Sequence, residues 1–179
     1  LKTAFATAEA DEDVKVIVLR AEGPVFCSGI DLAYLHQLLE YDLDAQQADT
    51  LNLVELYEQM FKLRKVILTV VEGDAFAAGA GLLAASDLVL CTEDSQISFN
   101  QVRFGQIPAP MMGFVLRKIG NGAGRRLFLT GEAISAEEAK RMGLISEVLA
   151  DDVVEDRLGE MLAQLILRNS GGAMELTKR

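Results

Sequence analysis

The chain has 179 residues, half of them hydrophobic and a quarter charged, and its formal net charge is −10 at pH 7. One globular domain with a sizeable core fits this length and composition, and the negative charge argues against nucleic acid or an anionic membrane surface as the main partner. Two cysteines give no disulfide framework, and no apolar run reaches membrane-spanning length, so we expect a reducing compartment such as the cytoplasm and no membrane partner.

Short apolar runs alternate with helical spacing along the chain. In chain order, the sequence predicts a helix over residues 1–10, a strand over 14–20 (VKVIVLR), helices over 31–40 and 50–63, strands over 65–72 (KVILTVVE), 87–92 (DLVLCT) and 96–99, helices over 108–119, 122–130 and 135–143, a strand over 144–149, and a helix over 152–168. Asp31 is placed to cap its helix, and Ser135 with Glu138 forms a capping box.

The segments between these elements predict loops. Residues 21–29 are rich in turn formers, residues 41–49 are polar and acidic and predict a mobile loop, and residues 169–172 break the last amphipathic helix. Both ends of the chain read as pieces of helix, so we expect it to be part of a larger polypeptide. Buried strands alternating with helices indicate a single α/β domain over residues 1–179.

Two loops stand out because small residues follow a predicted strand and precede a predicted helix. The first is Phe26-Cys27-Ser28-Gly29-Ile30-Asp31, and the second is Ala77-Ala78-Gly79-Ala80-Gly81. Small residues let a ligand approach the backbone, and a helix N-terminus presents free N–H groups with a favourable dipole. Two such loops facing each other can hold one oxyanion between two N–H donors, although small residues also serve strand–helix packing.

Taken together and in this order, these loops and several other segments resemble the crotonase superfamily of enoyl-CoA hydratases and isomerases. The resemblance covers nearly the whole chain. The matching segments are residues 14–19 (VKVIVL), 26–32 (FCSGIDL), 71–73 (VEG) with the Ala-Gly-rich loop, 85–89 (ASDLV), 104–109 (FGQIPA), 129–132 (LTGE), 135–139 (SAEEA) and 142–148 (MGLISEV).

The resemblance implies a fold and an assembly. We expect a crotonase-like ββα spiral, the superhelix shared by ClpP and crotonase, with surrounding helices. The chain then corresponds to the core of one such domain, without the family's first strand and its C-terminal helices. A homotrimer or homohexamer is the assembly expected from the resemblance.

The resemblance also implies a ligand and a site. The ligand is an acyl-CoA thioester, so coenzyme A enters as part of the substrate, with no permanently bound cofactor and no metal. The thioester oxygen is held by the backbone N–H groups of Ile30 and Ala78, which form an oxyanion hole for an enolate. The first loop borders coenzyme A in relatives, which gives four ligand-contact candidates, Val25, Cys27, Ser28 and Gly29.

The sequence departs from the family's pattern at the proton-transferring residues. Typical hydratases carry two glutamates, and the matching positions here are Gly81 and Gln101, neither of which exchanges a proton at neutral pH. A lysine that often reaches the coenzyme A phosphate is replaced by Ala33. Asp74 is the first substitute we consider for proton transfer. Weaker candidates are His36, Tyr34 and Arg103.

Several functions therefore stay open. The sequence favours an enzyme of the enoyl-CoA hydratase/isomerase family, with a decarboxylase or a catalytically inactive subunit for coenzyme A binding or assembly as alternatives. Residues 79–84 fit a dinucleotide fingerprint, but six residues separate the strand from its first glycine. A serine peptidase of related architecture would use Ser86 as its nucleophile and needs a histidine base.

Overall fold

The computed structural model describes residues 1–38 and 40–178. Its α-helices are α1 (Lys2–Ala10), α2 (Leu32–Leu38), α3 (Leu43–Lys62), α4 (Ala78–Ala85), α5 (Ala109–Thr130), α6 (Ala136–Met142), α7 (Val154–Ala163) and α8 (Gly171–Lys178). Its strands are β1 (Val16–Leu19), β2 (Val25–Cys27), β3 (Val66–Val71), β4 (Asp74–Phe76), β5 (Leu88–Thr92), β6 (Gln96–Ser98), β7 (Ala133–Ser135) and β8 (Glu147–Leu149). Short 3₁₀ segments cover Asn100–Phe104 and Asp151–Val153, and a π-helical turn covers Gln164–Arg168.

The first sheet is parallel and has the strand order β1-β3-β5-β8. All six residues of β3 are buried, as expected for a parallel strand covered on both faces. Its alternate side chains enter two cores: Ile67 and Val71 join the larger one, whereas Val66, Leu68 and Val70 join a smaller one covered by α7. The four strands predicted from apolar runs thus pair in one sheet, which separates two cores.

The second sheet has the order β2-β4-β6-β7, in which only the β6–β7 pair is antiparallel. Three of its strands were not predicted: β2 lies in the predicted loop 21–29, β4 lies in the small-residue stretch, and β7 precedes the capping box. Each has three residues, which is too short to show a hydrophobic period.

Other boundaries also differ from the predictions. The predicted mobile loop over residues 41–49 is wrong from Leu43 onward, because Asp42 caps α3 by accepting the Ala45 N–H at 2.8 Å. The two predicted helices of residues 108–130 are one element, α5, kinked at Gly120, where φ is 75°. The strand predicted over residues 144–149 is shorter and begins at Glu147. Residues 39 and 179, which fall in predicted helical segments, lie outside the described residues.

Candidate active site

The first and second loops follow neighbouring strands, β2 and β4, and touch each other. Gly29 has φ 107°, and a Cβ placed there would lie 2.9 Å from the Ala77 Cβ. A Cβ at Gly79 would lie 2.5 Å from the Cys27 carbonyl oxygen. Glycine is therefore required at both positions for the two loops to meet, because contacts this short do not occur between real side chains and backbone.

The second loop turns sharply into α4. Ala77 has φ 49°, the one positive φ of a non-glycine residue in residues 1–38 and 40–178, and its N–H donates to the Ser98 carbonyl at 2.8 Å. Strained backbone of this kind concentrates at functional sites. The turn makes Ala78 the first residue of α4, where a helix leaves its N–H groups free.

Two backbone donors are left without acceptors at this junction. In the part of the chain that the structure describes, neither the Ile30 N–H nor the Ala78 N–H donates a hydrogen bond. Behind them, the Tyr57 hydroxyl donates to the Ala78 carbonyl at 2.9 Å. Tyr57 is fully buried, and burial raises the pKa of its hydroxyl, so it stays a protonated donor that holds the first turn of α4.

A cavity of about 910 Å³ is lined by both Ile30 and Ala78. Ser28, Ile30, Ala78 and Gln101, four of the predicted site residues, line this one cavity. The remaining lining residues are Asp31, Leu32, Ala33, Leu35, Leu38, Asp49, Thr50, Leu53, Ala77, Asn100, Phe104, Gly105, Gln106, Ile107, Ala109, Pro110 and Met111. Most of this lining is apolar and comes from α2, α3 and the start of α5, which suits a small-molecule site.

Gln101 carries a buried, unpaired oxygen in the wall of this cavity. Its side chain is only 7% exposed, its Nε2 contacts the Met111 sulfur at 3.4 Å, and its Oε1 has no partner among the described residues. The Asn100 Oδ1 is buried and unpaired in the same way. Leaving a buried polar atom unpaired costs about 1–3 kcal/mol, so both oxygens need a hydrogen-bond donor that the described side chains do not supply. No sequence signal singles out Asn100 beyond its place beside Gln101.

Asp74, the first candidate for proton transfer, does not line the cavity. Its Oδ1 accepts the Gln96 N–H at 2.9 Å and so links β4 to β6. The three weaker candidates are also outside the described lining of the cavity. His36 and Arg103 are exposed, and Tyr34 reaches the site only through a hydrogen bond to Asp49.

Position 81 has no room for a side chain. A Cβ on Gly81 would lie 2.5 Å from the Tyr57 hydroxyl oxygen. The glutamate that typical hydratases carry at this position is therefore not only missing but sterically excluded by a buried tyrosine.

The two competing motifs have structural roles. Gly79 and Gly81 pack against Cys27 and Tyr57, so residues 79–84 leave no space for a pyrophosphate. Ser86 is 3% exposed, and its Oγ donates to the Leu82 carbonyl and bonds the Thr69 hydroxyl, both at 2.7 Å. Such a serine cannot meet a substrate, which excludes the peptidase alternative.

The remaining contact candidates lie near the cavity without lining it. Val25 is an exposed residue of β2, Cys27 ends that strand, and Gly29 packs on Ala77. Val25 directly precedes the first loop, and Cys27 and Gly29 flank Ser28 within it. No helix of residues 1–38 and 40–178 combines the length and the apolar character that crossing a bilayer requires.

Known proteins share this fold. The chain superposes on Pseudomonas aeruginosa AtuE with a TM-score of 0.94 and 31% identity, covering 99% of this chain and 69% of that one. The enoyl-CoA hydratase from Shewanella pealeana gives a TM-score of 0.93 and 28% identity, with 99% and 66% covered. The mitochondrial enoyl-CoA hydratase domain-containing protein 3 of Mus musculus is 37% identical over 150 residues, 80% of this chain and 47% of that protein.

The chain thus spans about half the length of the mouse relative and about two thirds of the two solved structures. These superpositions confirm the predicted α/β crotonase-like fold. The family model for enoyl-CoA hydratase/isomerase matches residues 1–178. On the fold, the paired loops and this match, the chain belongs to the enoyl-CoA hydratase/isomerase family.

Proposed function

We propose that the chain is the core of an enzyme that binds an acyl-CoA thioester and stabilises its enolate. The observation that carries this proposal is that Ile30 and Ala78, whose N–H groups have no acceptor among the described residues, line one largely apolar cavity. The thioester oxygen accepts both hydrogen bonds. When a proton leaves the α-carbon, negative charge moves onto this oxygen, and fixed dipoles meet it without reorganising.

The first loop contacts the coenzyme A part of the ligand in this proposal. Ser28 lines the cavity, and Val25, Cys27 and Gly29 lie on the same strand-to-loop segment. Coenzyme A thus comes and goes with each substrate rather than staying bound. A homotrimer or homohexamer, a cytoplasmic location and a chain that lacks the family's outer elements stay predictions.

The missing glutamates support a second candidate function. Gln101 is an amide and Gly81 is blocked by Tyr57, so ordinary hydration with two carboxylates is not available. Decarboxylation of an acyl-CoA needs the oxyanion hole and an apolar pocket more than it needs these groups. Release of carbon dioxide from a malonyl-type thioester would identify this reaction, and binding without any turnover would identify an inactive subunit.

The test of the oxyanion hole is Ala78→Pro, which removes one N–H and keeps a small side chain. Proline is compatible with the first position of a helix, and Ala78 begins α4. Loss of one such donor lowers turnover by about 10²–10³-fold. We expect this loss with little change in acyl-CoA affinity measured by calorimetry.

Circular dichroism and thermal unfolding control for damage to the loop. A folded Ala78→Pro protein that keeps wild-type turnover would exclude Ala78 as a donor and with it the proposed hole.

A further inference from the structure

The wall that α2 and α3 contribute to the cavity carries a carboxylate. Asp49, in α3, lines the same cavity as Ile30, Ala78 and Gln101. One of its oxygens, Oδ1, accepts a hydrogen bond from the Tyr34 hydroxyl on α2. Asp49 was not singled out from the sequence, because this residue lies in the stretch 41–49, which predicts a polar loop.

Asp49 is the one cavity carboxylate that does not cap a helix. Among the described lining residues, the acidic side chains are Asp31 and Asp49. Asp31 is engaged as the cap of α2, since its Oδ1 accepts the N–H groups of Ala33 at 2.7 Å and Tyr34 at 3.1 Å. In contrast, the hydrogen bond that Asp49 accepts among the described residues comes from the Tyr34 side chain, and no backbone N–H of that part of the chain engages it.

We propose that Asp49 is the proton-transferring residue of this site and that Tyr34 positions it. The proposal rests on the acyl-CoA function given above, and it makes the enzyme a one-base isomerase of 3-enoyl thioesters. Such chemistry needs a single carboxylate, which agrees with the loss of both usual glutamates.

The proton and the electrons balance in this reaction. Asp49 accepts a proton from C2 of a 3-enoyl thioester, and the electrons of that C–H bond move onto the thioester oxygen to give a dienolate held by Ile30 and Ala78. The same proton then returns to C4, the double bond moves to C2–C3 and the carbonyl re-forms. No oxidant, water or second acid takes part.

Tyr34 holds the carboxylate in place. The hydrogen bond to Asp49 raises the pKa of Tyr34, so its hydroxyl remains a donor across the neutral range. The other titratable groups identified beside the pair are Tyr41, which interacts with Tyr34, and Asp31 at the start of α2.

The decisive variant is Asp49→Asn, which keeps the shape of the side chain and removes the base. With trans-3-hexenoyl-CoA as substrate, we expect the turnover number for formation of the conjugated thioester, followed by its absorbance, to fall by about 10²–10⁴-fold. Binding of hexanoyl-CoA should not change. Exchange of the hexanoyl-CoA α-protons in D₂O should fall in parallel, because it needs the same base.

Asp44→Asn is the matched control, since Asp44 lies in the first turn of the same helix and outside the described lining of the cavity. It should keep wild-type turnover. If Asp49→Asn loses its circular dichroism, Asp49→Ser removes the carboxylate while leaving an acceptor for Tyr34, and should show the same loss.

Tyr34→Phe tests the positioning role. Without its donor the carboxylate is no longer held in one orientation, so the turnover number should fall while the KM for trans-3-hexenoyl-CoA stays unchanged. A tyrosine that only supports the helix would change KM and turnover together or change neither, and that result would overturn the role of Tyr34.

Two outcomes overturn the role of Asp49, and they are distinguishable. Wild-type turnover in Asp49→Asn, combined with its loss in Ala78→Pro, would exclude Asp49 and leave the oxyanion hole standing. A wild-type protein that binds hexanoyl-CoA but neither isomerises the 3-enoyl thioester nor exchanges α-protons would overturn Asp49 and the enolate chemistry together.

Discussion

Gln101 shows how one atom separates this site from that of a typical hydratase. The side chain is buried, lines the cavity and carries an unpaired oxygen. Glutamate has nearly the same shape, so the position is already built to hold a carboxylate. A carboxylate with so little water around it would have a raised pKa, which is the condition for trading protons near neutral pH.

We predict that the native protein is a poor hydratase of a short trans-2-enoyl-CoA and that Gln101→Glu raises hydration or isomerisation. A positioned acid or base contributes roughly 10²–10⁴-fold, and we expect the lower part of this range because Tyr57 keeps the second carboxylate away from position 81. The rate is read from the absorbance of the conjugated thioester, with products identified by mass.

Gln106→Glu places the same charge in the same cavity and should give no gain. Efficient hydration by the native protein, with nothing added by Gln101→Glu, would contradict the assignment of position 101.

At the scale of elements, α4 connects the oxyanion loop to the buried side of α5. Lys118, in α5, donates from its Nζ to the Leu83 carbonyl at 2.9 Å, in the last turn of α4. A cation is favourable at a helix C-terminus, but burial lowers the pKa of Lys118 to about 8, against the opposing attraction of Asp87. Burying this charge therefore lowers the free energy of unfolding, although the ammonium group interacts favourably with the C-terminal end of α4.

This predicts a stability change with pH. An unfolded lysine has a pKa of about 10.4, so between pH 8 and that value the unfolded chain binds more protons, and the free energy of unfolding rises with pH. We expect wild type to gain about 2 kcal/mol relative to Lys118→Met between pH 7 and pH 10, measured by urea denaturation.

Other groups also make the free energy of unfolding depend on pH, and comparing wild type with Lys118→Met cancels their contributions. Burial raises the pKa of Cys91 to about 11 and also that of Tyr57, and both effects lower stability as pH rises above the usual pKa of each group. They are present in both proteins and cancel. An equal difference between the two proteins at every pH would contradict a buried, destabilising charge on Lys118.

The elements that were predicted correctly are those whose buried residues recur at a regular spacing along the sequence. The strands of the first sheet are apolar runs, and α6 begins and ends where Ser135 and Gly143 predict, with the Ser135 hydroxyl accepting the Glu138 N–H at 3.2 Å. The strands of the second sheet are held by backbone pairing and leave no such period. The cavity was predicted in part. Its backbone donors lie in loops of small residues, which stand out in the sequence, whereas Asp49 lies in a stretch whose polar composition predicts a loop and not the helix that lines the cavity.

At the scale of the whole molecule, two hydrophobic cores share the first sheet, and α8 lies over the smaller one. Met174 packs against this core, and Lys178 forms an ion pair of 2.7 Å with Asp87 beneath it. The Lys178 Nζ also donates to the carbonyls of Met60 at 3.2 Å and Lys65 at 2.9 Å. The Lys178 ammonium group thus connects α8 to the end of α3 and to the residue directly before β3.

We predict that Lys178→Met lowers the free energy of unfolding by about 2–3 kcal/mol, because it leaves Asp87 without its cation and two carbonyls without a donor. The Lys178 side chain is only 8% exposed, whereas that of Asp87 is 26% exposed, so solvent screens part of the lost attraction and the cost stays below that of a fully buried pair. Asp87 still accepts the Ile67 N–H at 2.7 Å, so the sheet itself should persist.

The control is Lys62→Met, which removes an exposed pair with Glu58 and should cost less than about 1 kcal/mol. The double variant Asp87→Asn/Lys178→Met should cost less than the sum of its parts, since no charge is left unpaired. Equal costs for Lys178→Met and Lys62→Met in urea denaturation would show that α8 is not held to the core by this pair.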